Sequence, residues 1–396
     1  MKPDDNNILA SESIDETVKH SIDDFAKAEV PQLPPDAFEF VQAHERIVDA
    51  KFESKPMGYF KDAALRFAQN KASIVAAIIM LILVIMAIIG PIISNFTYRE
   101  QNLRATNLPP RIPVLENFVP FFRGHRDITI QARNLHEHEH TYIRTLRSFE
   151  TLGVEMLEIR IHGYRAAGFE DVYYWFGSDA LGRCLFTRTW YGLRISLLLG
   201  LLVSTISIVI GVVYGAIQGY FGGTTDLIMQ RITEILGAIP TIMIITVFIM
   251  LFGASFRVLV FAFSFLSWVG PAFNTRMQFY RFKNREYVYA ANTMGASDWR
   301  IIFRHVLPNA VGTLVTIFAL AIPTVILQEA IFAFLGLGLQ APTPTLGILN
   351  VEGQGALLSS PHIILFPAMV ISILLICFNI FGNGLRDAFN PSLRGS

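Results

Sequence analysis

Six predominantly apolar stretches of this 396-residue chain, each 18 to 33 residues long and free of charged side chains, read as membrane spans. A helix that crosses the hydrocarbon core of a bilayer needs about 20 mostly apolar residues, and all its backbone polar groups must be satisfied within the segment. The runs lie between Lys71 and Arg99, Arg194 and Asp226, Glu234 and Arg257, Arg257 and Arg276, Arg304 and Glu329, and Glu352 and Arg386. They predict six transmembrane helices near 73–95, 197–219, 234–252, 257–274, 310–334 and 363–382. The apolar positions do not alternate with polar ones, which excludes a transmembrane β-barrel. The first run starts after 70 polar residues and has no small-residue cleavage site, so it does not read as a cleaved leader. The expected fold is an all-α polytopic membrane protein with a polar loop subdomain after the first helix.

Charge agrees with that class. Only 16% of residues are charged, against about 25% in soluble domains. Lys+Arg and Asp+Glu both number 32, which excludes a nucleic-acid binder driven by bulk positive charge. The two cysteines, Cys184 and Cys377, are too few for a disulfide framework or a four-cysteine metal site. Orientation follows the basic residues of short loops. The segment 275–309 carries Arg276, Arg281, Lys283, Arg285, Arg300 and Arg304, whereas 335–362 carries no Lys or Arg. The expectation is a multi-pass protein of the cytoplasmic membrane, with 275–309 and both termini in the cytoplasm. The loop 96–194 then faces outward. It holds more than a dozen arginines but no lysine, and loops longer than about 60 residues escape the charge rule.

The polar segments divide the chain. Residues 1–54 hold 13 Asp/Glu against five Lys/Arg and read as an acidic cytoplasmic tail, with room for a short helix near 36–53. Residues 55–95 combine an interfacial helix, with Phe60, Ala64, Phe67 and Ala68 at helical spacing, and the first span. Residues 96–194 form the extracytoplasmic loop subdomain, with strand-like pieces at Ile128–Ile130 and Met156–His162. Residues 195–383 form the membrane domain, which includes the cytoplasmic loop 275–309, and 384–396 a cytoplasmic tail.

Several chemistries can be weighed directly. His136-Glu137-His138-Glu139-His140 contains HExxH, which binds zinc when a helix sets two histidines one turn apart beside a glutamate base. Here the match arises from plain alternation in a polar loop, so His136 and His140 read as a solvated run, with a membrane metalloprotease as the rival class. No Gly-Lys pair occurs anywhere, so the chain has no phosphate-cradling P-loop. Any driving energy comes from a partner or from a gradient, and a carrier acting alone is the third class. Glu329 is an acid inside an apolar stretch, a placement that suits either a residue lining a solute path or a structural group that is bonded to a neighbouring helix or protonated in place.

The segment 285–309 reads REYVYAANTMGASDWRIIFRHVLPN. It predicts a helix from Glu286 to Met294, a break at Gly295, a second helix capped by Ser297 and opening on Asp298, and Pro308 in the first turn of the next span. Tyr287, Ala290, Ala291 and Met294 share one helical face. The result is a compact elbow at the membrane surface, with small residues that admit another protein closely.

This elbow resembles the EAA motif of binding-protein-dependent ABC importer permeases. Ala290, Ala291, Gly295, Leu307 and Pro308 fall in register, while Tyr289 stands at the family's Glu position and His305 at its Ile position. The peptide-transporter branch commonly has His there, followed by LPN. Other blocks are similar to that branch: YFKDAALRFAQNKAS before the first span, Phe176 to Arg183 followed by Cys184, Glu329 to Gly338 with Pro342-Thr343-Pro344, and NIFGNGLRDAFNP from Asn379, with Asn383 and Asn390 where Asp is usual.

The resemblance implies a type I ABC importer permease fold and a chain with no catalysis or bound cofactor of its own. It implies a second permease, two ATP-binding subunits holding ATP and Mg, an extracytoplasmic peptide-binding protein, a dipeptide, oligopeptide or nickel complex as solute, and membrane lipid around the spans; the large outer loop, as a bulky docking surface, points among these to an oligopeptide. Glu286, Tyr289, Ala290, Ala291, Gly295, Ala296, Ser297, Asp298, Arg304, His305, Leu307 and Pro308 would form the ATPase-coupling loop. Asp179, Gly182 and Arg183 would lie at the outer mouth, as a gate or docking edge or as a turn closed by local hydrogen bonds.

Overall fold

The computed structural model describes residues 59–389. The acidic tail expected over 1–54, the helix expected near 36–53 and the segment from residue 390 lie outside the described residues. Helix α1 (Tyr59–Gln69) is amphipathic and packs edge-to-face on the last described helix, through Phe60 on Phe389 and Phe67 on Phe381 with ring centroids 6.3 and 5.3 Å apart. Asn70 ends it and caps α2 (Lys71–Ile93), its side chain accepting the Ser73 N–H at 3.2 Å.

The long loop that follows contains a three-stranded antiparallel sheet, β1 (His125–Gln131), β2 (Tyr142–Thr151) and β3 (Val154–His162), in the order β1-β3-β2. The strand-like pieces at 128–130 and 156–162 fall in β1 and β3. The edge strand β2 has no apolar alternation to reveal it, because its register on β3 shifts twice, between Tyr142 and Arg144 and between Thr145 and Arg147, and each shift exchanges the faces. The β2–β3 hairpin turns on Leu152 and Gly153, at φ 53° and 76°. One sheet face buries Ile159 and Ile161. The other carries Arg160 paired to Asp127 by two bonds of 2.6 and 2.7 Å.

His125 and His162 are register partners on β1 and β3, their rings 5.7 Å apart. Burial holds both imidazoles below their usual pKa; next come His162 and Arg123 for His125, and Arg111 and Arg165 for His162. The folded sheet therefore takes up these protons less readily than the unfolded chain. The stability this contributes is complete above the unfolded value of about 6.5 and is lost as pH falls from there through the depressed folded values. Amide protection of β1 and β3 is expected to drop as pH falls below about 6.5, and the double variant H125Q/H162Q is expected to flatten that drop. An unchanged profile in the variant would refute the assignment.

The spans follow. Helix α3 (Leu185–Phe221) is 37 residues long and starts at 185, not near 197. The third span is a bent pair, α4 (Gly223–Gly237) and α5 (Thr241–Phe252), set at 72°. The bend falls just before Pro240, which has no N–H to continue the ladder. Helices α6 (Phe256–Ser267) and α7 (Val269–Phe282) form one rod over Phe256–Phe282, which runs past the expected end at 274. After α8 (Glu286–Thr293), a second 37-residue rod runs from Asp298 to Phe334. It contains a π-helical stretch, Ile301–Val306, and then α9 (Leu307–Phe334). The loop after α9 holds a further helix, α10 (Leu346–Gly355), and α11 (His362–Phe389) ends the described chain. Five helices among the described residues are long and apolar enough to cross a membrane, or six with the bent pair counted as one span.

Helices α3 and α7 pack closely. Gly211, Gly215 and Gly219 form a stripe along α3, one residue per turn. A Cβ on Gly215 would lie 2.1 Å from the Ala272 carbonyl oxygen, and one on Gly219 2.6 Å from the Phe279 Cβ. Lipid is as apolar as the side chains, so such backbone approach is what holds spans together.

Candidate functional site

At the sheet-bearing end of the bundle, Asp179 organises a buried charge cluster. Its Oδ1 accepts the N–H groups of Leu181 and Arg183 at 2.9 and 3.0 Å, which closes a tight turn. Gly182 takes φ 70°, and a Cβ there would lie 1.8 Å from the Asn102 carbonyl oxygen, so the turn admits only glycine. Asp179 Oδ2 accepts Arg183 Nε at 2.7 Å and also pairs with Arg188 Nη1. Arg188 lies on the first turn of α3 and is 1% exposed. It also donates to both carboxylate oxygens of Glu352 on α10, at 2.5 and 3.0 Å, and Arg183 Nη2 reaches Glu352 at 3.2 Å. Two guanidinium and two carboxylate groups thus tie the loop turn, α3 and α10 together with no net charge. The local bonds of the turn and its long-range links coexist. Arg188 and Glu352 were not among the expected site residues.

Glu329 sits at the other end of α10. It is fully buried on α9. Its Oε1 accepts the Thr345 hydroxyl at 2.6 Å and its Oε2 the Ser196 hydroxyl at 3.4 Å. Thr345 caps α10 by accepting the Ile348 N–H, and Ser196 accepts the Leu346 N–H. The carboxylate therefore faces the N-terminus of α10, where the helix dipole favours negative charge. Glu329 thereby joins α9, α3 and α10 in this conformation.

The elbow lies at the opposite end. Helix α8 ends at Thr293, one residue before the expected end, and Gly295 takes φ 80° with open space around its Cβ position. The second helix does not stop within the loop. Ser297 makes no side-chain cap, and Asp298 starts the long rod that becomes α9. The π stretch precedes Pro308, whose missing N–H removes the α-type bond to Arg304.

Val288 and Ala291 turn inward and pack with Ile301, Ile302 and Val306 against Ala216 of α3 and Phe279 of α7, so that of Tyr287, Ala290, Ala291 and Met294 only Ala291 is buried. The elbow is thus welded to the ends of two spans. Glu286, Tyr289, Ala290, Ser297, Arg304 and Pro308 are exposed, while Ala296, His305 and Leu307 are half-buried. Tyr289 borders a cavity of about 230 Å³ shared with Lys283 and Asn292. Asp298 accepts the Tyr220 hydroxyl at 2.7 Å. Met294 is 82% exposed and Trp299 55%, large apolar groups presented outward from an anchored base.

The histidine run does not form a zinc helix. His136 lies in a 3-10 segment, Ala132–His138, that ends before His140, and its Nδ1 lies 2.9 Å from the Arg133 carbonyl oxygen. Among the described residues, no group of three His, Cys, Asp or Glu could hold a metal.

These features define a membrane-embedded helical subunit with an anchored surface elbow at one end and a fastened short helix at the other. Residues 207–395 match the family described as "Binding-protein-dependent transport system inner membrane component", and residues 58–110 match "N-terminal TM domain of oligopeptide transport permease C". The chain is 32% identical over 362 residues to the oligopeptide transport system permease protein OppC of Bacillus subtilis (strain 168), an alignment that covers 91% of this chain and 99% of that one. It is 33% identical over 364 residues to the dipeptide transport system permease protein DppC of the same organism, covering 92% and 95%. Among solved structures, a chain of the MetNI methionine ABC transporter aligns with 50% of this chain and 94% of its own, at TM-score 0.41 and 16% identity. The chain belongs to the family of inner membrane components of binding-protein-dependent transport systems, and its fold is that of an ABC importer permease.

Proposed function

We propose that this chain is one of two permease subunits of an ATP-driven importer that moves peptides, oligopeptides in particular, across the cytoplasmic membrane. Its partners are a second permease, two ATP-binding subunits that hold ATP and Mg, and an extracytoplasmic peptide-binding protein. Both termini and the elbow lie in the cytoplasm, and the sheet-bearing loop faces outward. The reading is supported by relatives named for oligopeptide and dipeptide transport that match over almost their full length. The observation that carries it is the elbow: exposed Tyr289, Met294 and Trp299 stand on a base that buries Val288 and Ala291 against α3 and α7. A push on the exposed side is therefore delivered to two spans, which suits a two-state element biased by a nucleotide-driven partner.

Gly295→Asp places a side chain at φ 80°, a strained backbone region that costs about 1–2 kcal/mol, and adds a carboxylate to the open side of the elbow. The variant is expected to insert normally and to lose at least about tenfold in co-purified ATPase, the factor for about 1.4 kcal/mol. A photo-crosslinker at Met294 is expected to capture a nucleotide hydrolase in the wild type. Wild-type levels of co-purified ATPase with Gly295→Asp, or labelling of Met294 from outside the cell, would overturn the reading.

A further inference from the structure

A groove of about 580 Å³ runs between the first and last long helices at the elbow end of the bundle. Val75 and Ile79 of α2 face Ile373, Ile376 and Ile380 of α11 across it, each set at helical spacing. The short side chains of Ala72 and Ala76 leave the space open. Lys71 is its one charged lining residue. That side chain lies at the start of α2, is exposed, and makes no ion pair among the described residues. Two more exposed cations lie at the same end, Lys61 on α1 and Arg386 in the last turn of α11, and α1 is held against α11 by its ring contacts. Of the acids there, Asp62 is engaged by Arg66 and Asp387 is exposed.

In a bilayer such a groove does not stay empty, because an unfilled apolar gap forfeits the contacts of its walls. Apart from Lys71 at its end and the Cys377 thiol, its walls are alanine, valine and isoleucine, which an aliphatic chain matches along their length. The end of the groove adds selectivity. An ammonium on a flexible stem at the membrane surface attracts an anionic headgroup, and basic pockets between spans are where such headgroups settle. We propose that this groove is a binding site for an anionic phospholipid, with an acyl chain between α2 and α11 and the phosphate on the Lys71 ammonium.

The test is native mass spectrometry of the purified full-length protein in mild detergent, titrated with palmitoyl-oleoyl phosphatidylglycerol or phosphatidylethanolamine. The wild type is expected to retain phosphatidylglycerol in preference, and Lys71→Gln to lower that retention about fivefold, the factor for one cation at an anionic surface. Ala72→Trp, at an exposed lining position, is expected to lose the bound lipid by filling the groove. Arg257→Gln, at the far end of the bundle, is expected to change nothing. Thermal melting of each variant confirms folding. Equal retention of the two lipids by the wild type, or full retention by Lys71→Gln, would overturn the proposal. So would a crosslinker at Val75 that captures another protein chain instead of lipid. The readout is lipid retention and does not depend on which solute the chain moves.

Discussion

Arg188→Ala is expected to lower the stability of the folded protein by about 3–5 kcal/mol, the usual cost of leaving a buried charge without its partner. Arg188 is 1% exposed, and its removal leaves Asp179 and Glu352 to share Arg183. The reverse deletion is milder. The Glu352 side chain is 30% exposed, so water partly replaces it, and Arg188 keeps Asp179. Arg188→Ala is therefore expected to cost more than Glu352→Gln. Arg188→Met combined with Glu352→Gln is expected to recover part of the loss, because an apolar replacement removes the desolvation penalty of the guanidinium. Denaturant unfolding in detergent measures all three. A cost for Arg188→Ala below that of Glu352→Gln would show that the cluster does not hold α3 to α10.

The second large effect concerns a single methyl group. Gly215→Ala puts a Cβ 2.1 Å from the Ala272 carbonyl oxygen, which forces α3 and α7 apart. Overpacking of a close-packed contact costs about 1–3 kcal/mol, and Gly215→Val is expected to exceed that range and leave little folded protein. Gly270→Ala on α7 serves as the counterpart. Nothing lies within 4 Å of its added carbon, so it is expected to be neutral or to stabilise by up to about 1 kcal/mol through helix propensity. Size-exclusion profiles and melting temperatures of the variants decide the matter. Equal behaviour of Gly215→Ala and Gly270→Ala would refute the close approach.

The charge-free runs place the spans because a bilayer leaves the backbone few options, and this holds for α2, α9 and α11. The elbow is legible for another reason: Gly295 and Pro308 act through their own backbone constraints, which no tertiary contact can hide. What escapes the sequence are places where a distant partner changes the meaning of a residue. Arg194 reads as the limit of a span, yet α3 begins at Leu185 because Asp179 and Glu352 neutralise Arg188. Glu352 looks like the boundary of an apolar run and instead belongs to α10, a helix too short for its apolar pattern to stand out. Strand β2 is hidden by its register shifts, and the inward face of α8 is set by α3 and α7 rather than by its own spacing. Within the clamp, Asp179, Gly182 and Arg183 are legible as a turn, while their long-range partners are not.

Helix α10, ten residues and about 15 Å long, is pinned at its first turn by Glu329 and Ser196 and at its last by Arg188. A beam fixed at both tips triangulates the rods it joins: at that end α9 and α3 keep their separation as long as both pins hold. Any relative swing of those rods then takes the beam as its fulcrum, and the displacement grows with distance from it, reaching its largest sweep where the Tyr289–Trp299 surface stands.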